Sequence, residues 1–436
     1  MGIENIVSLT GIFVLAGAAW LCSSNRKVIN WRVVFWGIVI QLIFALFIFI
    51  VPAGARVFLF VNKIVVVILD SATAGTRFLF GRLALAPGTT SESGETSLGS
   101  ILAFQALPTI IFFSALVGAL YYLRIMPLII RGFAYIFTKL MRISGAESLC
   151  ASSNIFVGVE SALVIRPHLK EMTKSELTTV LTAGMATIAS TVLALYVLFL
   201  QGQLPTIAGH LVSASFLSAP AAVIMSKLIV PEMDKPKTLG IDVRPHYERE
   251  DNLIMAIVNG ANSGLRYLGG IFALLLAFLG ILKLLDVFLG WFGGQLNGWL
   301  GLNFEWSFSS ILGYIFYPFT LILGVPASDT LKIAKVIGER TVATEVVSYQ
   351  HLSQLMAQGA LSSQRSAIIA SYALCGFAHI ASMAIFIGGI GALAPERLKD
   401  LSRLGFRALL AATLACLQTA AVAGTFCTSG SILLGR

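Results

Sequence analysis

Long apolar runs recur along the whole chain, and alternate ones end in a short cluster of basic residues. The first run, 5–22, is followed by Asn25-Arg26-Lys27 and Arg32, and a second run, 34–52, returns. A run of this length with few charges spans a bilayer as a helix. The same pattern predicts crossings at 101–123, 177–200, 208–228, 265–292, 366–394 and 408–432. Residues 56–86 differ, because Arg56, Lys63, Asp70, Arg77 and Arg82 are scattered among Val, Leu and Phe. That density of charge suits an amphipathic helix lying at the interface. Arg131, Lys139 and Arg142 mark a second interfacial helix, 88–100 reads as an external loop, and 231–252 as a cytoplasmic loop joining two halves. The expected fold is an all-α polytopic membrane protein with about eight transmembrane helices.

Two apolar stretches are interrupted in a way a simple span is not. The first, Asn154 to Pro167, carries one carboxylate, Glu160, two residues after Gly158. A charged group costs about 2.5–3.5 kcal/mol at the centre of a membrane helix on insertion scales, so it marks a polar cavity or a partner. Irregular backbone at that depth persists only where protein or a water-filled cavity surrounds it. We therefore expect a re-entrant hairpin over about 145–172, entering and leaving on the cytoplasmic side, where both ends are basic. The second interrupted region is 311–350, with its break at Gly324-Val325-Pro326-Ala327-Ser328-Asp329.

Gly184-Met185-Ala186-Thr187-Ile188-Ala189-Ser190 and Gly376-Phe377-Ala378-His379-Ile380-Ala381-Ser382 share five of seven residues, and each follows one interrupted region. Loop charges make the two passages run in opposite directions. Paired broken helices in an inverted repeat point to a secondary transporter with its site near the midplane. Chance likeness among the small residues of helix-packing segments is the competing explanation. The expected division is 1–123 as scaffold, 124–230 as the first repeat, 231–292 as loop and scaffold helix, and 293–436 as the second repeat with its hairpin at about 311–345.

Of the 436 residues 57% are hydrophobic and 12% charged, and mean hydropathy is +0.87. A soluble protein has about 25% charged residues. The net charge of +9 falls mainly in the loops assigned to the cytoplasm, which sets the N-terminus outside and makes nucleic acid an unneeded partner. Cys22, Cys150, Cys375, Cys416 and Cys427 stand singly in apolar segments, without a metal or disulfide spacing. The first run lacks a basic leader and a cleavage site, and is read as a retained span.

The candidate chemistry is sparse. Glu160 and Glu345, one per half, can accept hydrogen bonds from a polar solute, hold a proton, or pair with a nearby cation. Asp329 could cap a half-helix. Carbonyls near Asn154 and Val157, with the Thr187 hydroxyl and the Ile188 carbonyl, could ligate sodium, a hard ion that takes oxygen. Thr187 could equally bond its own backbone. His379 can pack or bind solute, and Phe377 can stack on a flat base or fill the core. No phosphate loop, Ser-His-Asp order or His-Glu-x-x-His motif is present. An intramembrane hydrolase using the two glutamates is the remote alternative.

Ordered motifs over nearly the whole chain resemble the concentrative nucleoside transporter family. They include Ser24-Asn25-Arg26-Lys27, Phe78-Leu79-Phe80-Gly81, the run Leu107 to Tyr122, Asn154-Ile155-Phe156-Val157-Gly158, Gly324-Val325-Pro326, Ala373-Leu374-Cys375-Gly376-Phe377-Ala378 and Ala392-Leu393-Ala394-Pro395. The resemblance implies a homotrimer in the inner membrane, with a scaffold and a mobile transport domain per subunit. It also implies opposed re-entrant hairpins and cation-coupled uptake of nucleosides by an elevator movement. By it, Glu160 would contact the base, Glu345 and Ser382 the ribose hydroxyls, and Val159, Val192, Phe377 and His379 would complete the substrate site. Asn154, Val157, Thr187 and Ile188 would hold Na+, with H+ as the alternative coupling ion. Three departures bear on the solute. Gly158-Val159-Glu160 lacks the family's Gln-Thr before the glutamate, Thr344-Glu345 replaces Asn-Glu, and Phe377-Ala378-His379 replaces Phe-Ala-Asn. A modified nucleoside, a nucleobase or another small polar solute therefore stands beside the ordinary nucleosides.

Overall fold

The computed structural model describes residues 2–86, 88–90, 94–99, 101–246, 250–301 and 304–428. Among these the chain is almost wholly helical. It opens with α1 (Ile3–Leu21), α2 (Trp31–Phe49), α3 (Pro52–Phe80), α4 (Leu102–Gln105), α5 (Thr109–Tyr122) and α6 (Ile125–Met141). Then come α7 (Gly145–Ser153), α8 (Ser161–Val164), α9 (Arg166–Leu169), α10 (Lys174–Ala186), α11 (Ser190–Leu200) and α12 (Ile207–Ile229). The long α13 (Leu253–Leu300) leads to α14 (Phe308–Ile322), α15 (Ala327–Arg340), α16 (Glu345–Ala357), α17 (Gln364–Ala373), α18 (Ile380–Leu393) and α19 (Leu398–Phe426).

Eight helical stretches among the described residues are long and apolar enough to cross a membrane. Their membership differs from the expected set in one exchange. Pro52–Ala84 enters it, since α3 is an unbroken helix of 29 residues, about 43 Å at 1.5 Å per residue. Its charges Arg56, Lys63, Asp70 and Arg77 recur every seventh residue and form one exposed stripe. That spacing leaves the rest of the surface apolar, so the helix is both interfacial in pattern and membrane-spanning in length. Residues 366–394 leave the set, because the longer break at 374–379 leaves Ile380–Leu393 as a shorter apolar helix, whereas the α10–α11 break is only 187–189. The loop expectations at 88–100 and 231–252, and the end of 408–432, lie partly outside the described residues.

The repeat organises the core. The series α6, α7, α8–α9, α10, α11, α12 has the same order as α14, α15, α16, α17, α18, α19, each with a hairpin followed by a broken helix and a closing helix. Both breaks fall on the matching heptapeptides. Ser190 N donates to the Phe156 carbonyl at 3.0 Å and Ile380 N to the Thr341 carbonyl at 3.3 Å. Each hairpin tip thus meets the start of the second half of its own broken helix. The glycines that open the heptapeptides make the crossing possible. A Cβ on Gly376 would lie 2.6 Å from Cys416 Sγ and 2.8 Å from the Ala186 carbonyl, and one on Gly184 2.2 Å from the Phe386 ring.

This corrects the position of the second hairpin. The expected break at 324–329 is the turn between α14 and α15, at the far end of α15 from the tip. The tip is Thr341–Thr344, between α15 and α16, so the hairpin extends to Ala357 rather than ending at 345. Gly324 (φ +75°) and Pro326 do turn the chain, but against α1 and the start of α17, where Ser8 Oγ donates to the Leu323 carbonyl at 2.7 Å and Arg365 Nε to the Gly324 carbonyl at 2.9 Å. Asp329 is accordingly at the base of the hairpin. It is fully buried and accepts from Ser362 N (3.0 Å), Ser362 Oγ (2.9 Å) and Ser366 Oγ (2.6 Å).

α10, α12 and α19 are buried almost throughout, and α19 also contacts α1, α2, α17 and α18. Helices α1 and α2 pack on α19 and α12, and α3 packs on α2, α12 and α5. The partner of α5 is α13. Gly118, Gly260 and Gly264 let their backbones touch, a Cβ on Gly118 or Gly260 coming 2.6 Å from a facing carbonyl. Small residues at that spacing are how membrane helices approach closely. With 48 residues, α13 is about 72 Å long, more than twice the ~30 Å hydrocarbon thickness. Its outer face is apolar and exposed, including Leu276, Leu284, Phe288, Trp291 and Trp299.

Candidate functional site

The carboxylates sit where their backbones stop being helical. Glu160 is the N-cap of the one-turn α8, in the tip that joins α7 to α8. Glu345 begins α16 directly after Thr344, whose φ of +129° lies where side-chain-bearing residues rarely go. Strain of that kind persists only when surrounding contacts impose it, and it concentrates at ligand sites. Here the contacts are around Glu345. Tyr196 Oη donates to Glu345 Oε1 at 2.7 Å, and Tyr196 is stacked on Tyr349 with centroids 4.3 Å apart. His379 Nε2 lies 3.0 Å from Glu345 Oε2.

His379 has a second task. It is the N-cap of α18, and its Nδ1 accepts from Ser382 N at 3.1 Å. An imidazole nitrogen that accepts carries no proton, so the neutral ring holds its hydrogen on Nε2, facing the Glu345 carboxylate. The Ser382 hydroxyl donates to the Phe377 and His379 carbonyls within the same unwound turn.

Val159, Glu160, Val192, Glu345, Phe377, His379 and Ser382 all line one cavity of about 310 Å³. Both hairpin tips and both broken helices contribute to it, and α13 closes it with Arg266, Tyr267, Gly270 and Leu274. The volume is at the small end of ligand pockets, which run from about 300 to 1,000 Å³. Two carboxylates, an imidazole and an aromatic ring around apolar walls suit a small, flat, donor-rich solute. Tyr267 was not picked out from sequence. Its hydroxyl donates to Glu160 Oε1, and a second cavity of about 330 Å³ lies beyond it, lined by Gly158, Glu160, Tyr267, Arg166, His246 and residues of α5. The Tyr267–Glu160 bond therefore stands between two cavities. Its only sequence signal was a polar pair, Arg266-Tyr267, inside an apolar span. Tyr196, inside Leu-Ala-Leu-Tyr-Val, gave none.

Asn154, Val157, Thr187 and Ile188 are buried at the junction of the α7 tip and the α10–α11 break. Asn154 Nδ2 donates to the Cys150 carbonyl at 2.9 Å, which leaves Oδ1 as an acceptor. Asn154 Oδ1, Ser153 Oγ and Ser152 Oγ are buried with no hydrogen-bond partner among the described residues. Thr187 Oγ1 donates to the Ala183 carbonyl at 2.9 Å and keeps its lone pairs. A run of unmatched oxygens in a buried junction suits a hard cation. No group of three or more His, Cys, Asp or Glu able to hold a metal occurs among the described residues.

Family models cover most of the chain. "Na+ dependent nucleoside transporter N-terminus" matches residues 10–83, "Nucleoside recognition" 103–202, and "Na+ dependent nucleoside transporter C-terminus" 210–424. An uncharacterized transporter, YutK of Bacillus subtilis (strain 168), is 38% identical over 96% of this chain and 98% of its own length. Solute carrier family 28 member 3 of Mus musculus is 39% identical over 97% of this chain, which spans 59% of that longer relative. Among solved structures, CNTnw in an inward-facing substrate-bound state superposes with a TM-score of 0.85 at 33% identity, over 97% of this chain and 98% of that one. An outward-facing CNTnw variant reaches 0.87 at 33% identity, over 98% and 99%. These are transporters, not enzymes, which removes the hydrolase alternative. The chain is a multi-pass membrane protein that belongs to the Na+-dependent nucleoside transporter family.

Proposed function

We propose that the protein is a sodium-coupled importer of nucleosides or close chemical relatives, working by an elevator-type movement of the two repeats. The observation that carries this reading is the convergence of seven candidate residues from both hairpin tips and both broken helices on one cavity. Glu160 faces the base and Glu345 with Ser382 the sugar hydroxyls, while Val159, Val192, Phe377 and His379 supply walls and a donor. Asn154, Val157, Thr187 and Ile188 take the sodium ion, in keeping with the unmatched acceptors beside them. α5 and α13 form the static frame, and the exposed apolar face of α13 packs against other copies in a homotrimer. The N-terminus lies outside, as the loop charges require.

His379 reshapes the sugar side. Tyr196 Oη already bonds Glu345 Oε1, whereas Oε2 lies 3.0 Å from His379 Nε2 without a hydrogen bond, so a sugar hydroxyl meets Oε2 beside the imidazole. A site whose polar groups are left unpaired by one analogue rejects it by orders of magnitude. Selectivity here is therefore set by how each sugar hydroxyl meets the imidazole. The test is a thermal-shift screen of purified protein against nucleosides, deoxynucleosides, bases and nucleotides, with sodium or choline. A shift that requires both a nucleoside and sodium supports the reading, and a sodium-independent response to bases alone refutes it. In uptake assays Glu160→Gln abolishes transport and Thr187→Ala chiefly weakens sodium dependence.

A second reading has its own observation. The His379–Glu345 pair lies in the solute cavity and can hold a proton, so H+ could be the coupling ion. Uptake driven by an inward proton gradient in choline medium distinguishes it.

A further inference from the structure

The two repeats end their first hairpin arms in opposite chemistry. In the first, α7 closes with Ser152, Ser153 and Asn154, whose oxygens are buried and unmatched. In the second, α15 closes with Arg340, which is 0% exposed. Arg340 Nη1 donates to the Ala373 carbonyl, and the Cys416 thiol lies against the guanidinium. Nε and Nη2 have no partner, and no carboxylate forms an ion pair with this arginine, among the described residues. One junction is rich in acceptors and short of a cation. The other contains a cation and is short of acceptors.

The two junctions correspond by element rather than residue by residue, since in the heptapeptide register Ala186 matches Ala378 and Ser190 matches Ser382. Ala373 is the last residue of α17 as Ala186 is the last of α10, and each junction is closed by the same tip-to-break hydrogen bond, Phe156 with Ser190 and Thr341 with Ile380. The last carbonyls of a helix carry its negative partial charge, roughly half an elementary charge. Arginine does not deprotonate in proteins, so this group stays charged. A buried charge without a carboxylate is strongly disfavoured unless fixed dipoles balance it. The carbonyl end of α17 is the dipole available to Arg340.

We infer that the Arg340 guanidinium is a tethered cation standing at the second repeat's counterpart of the coupling-ion site. At the first junction a mobile ion adds its attraction to the Phe156–Ser190 bond that joins the hairpin tip to its broken helix. The second hairpin tip is held to its own in every state. One mobile cation, not two, is then taken up per solute. This inference rests on the proposal that Asn154 and Thr187 border the sodium site.

The experiment compares wild type, Arg340→Lys, Arg340→Met and Arg340→Ala in proteoliposomes. It reads thermal stability and tritiated uridine uptake against sodium, with choline as the substitute. The expected order is Lys near wild type, Met reduced at least tenfold in uptake despite its similar length, and Ala equally reduced but restored by millimolar guanidinium. Sodium acts on wild type with a Hill coefficient of one. Wild-type uptake in Arg340→Met, or Lys as impaired as Met, overturns the inference by showing that charge is not what the position supplies. A folded Arg340→Ala that guanidinium does not restore also overturns it. If Arg340→Ala does not fold, the Lys–Met comparison decides. If uridine is not carried, the same order is read from thermal stability alone. Absence of any sodium response in wild type defeats the sodium-site proposal by itself, while the Lys, Met and guanidinium results still judge Arg340.

Discussion

Replacing Lys227 by Met should loosen the first hairpin at its base. Lys227 is near the end of α12 and 5% exposed, and its Nζ lies 2.5 Å from Glu147 Oε1 and 3.1 Å from Glu232 Oε2. It also donates to Ser175 Oγ at 2.9 Å. Glu147, 1% exposed, uses its other oxygen to accept from Ser144 N at 3.2 Å, closing a capping box at the start of α7. Met keeps the length of the lysine stem but leaves Glu147 Oε1 without a partner. Removing one member of a buried ion pair costs about 3–5 kcal/mol, because the other charge stays buried. At 1.4 kcal/mol per tenfold, that is a population change of about a hundredfold or more. Hydrogen exchange of the α7 amides, which reports local opening, should accelerate by that factor, while α13 is unchanged. The double variant Lys227→Met with Glu147→Gln should recover part of the loss, since Glu147 is then no longer a buried unpaired charge while Glu232 still lacks its lysine. An α7 exchange rate within fivefold of wild type in the single variant, or no recovery in the double, would refute the reasoning.

Other outcomes follow from the same geometry. Tyr267→Phe removes the hydroxyl between the two cavities but keeps the ring, so the apparent affinity for solute should change with little effect on melting temperature. Paired uptake and thermal-shift titrations check this. Gly376→Ala forces a methyl against the Ala186 carbonyl and should destabilise by about 1–3 kcal/mol. Gly202→Ala, with nothing within 4 Å, serves as the neutral control in the same thermal melts. At the protein surface, hydrogen bonds from Lys335 and Ser310 hold the Glu305 carboxyl below its ordinary 4.5. A depressed carboxyl stabilises above its unfolded value and loses that contribution as pH falls through the folded one. Lys335→Ala should therefore matter above about pH 4.5, by at most about 1 kcal/mol since Glu305 is largely exposed, and its effect should fade as pH falls below that value. Melts of both proteins across pH, repeated in high salt, test it.

Much of the architecture was legible in the chain because membrane helices announce themselves locally. Apolar length predicts a crossing, basic clusters end it, and small-residue heptapeptides mark the two broken helices. Glu160 and Glu345, which line the cavity between the hairpin tips, stood out too, since a carboxylate in an apolar run has few uses. Other features depended on which segments meet. Gly-Val-Pro at 324–326 and Gly-Val-Glu at 158–160 both signal a break, and φ preferences act over one or two residues. Only packing against α1 shows that the first is a base turn, whereas Thr341–Thr344, with no glycine or proline, forms the tip. The strained Thr344 is held there by contacts of Glu345 with Tyr196 and His379, which come from two other helices. Tyr267, Lys227 and Arg340 are likewise invisible as single letters. Whether a polar side chain in a membrane is bait for solute, part of a buried clamp or a resident cation is set by partners distant in sequence, and the tertiary structure alone brings those together.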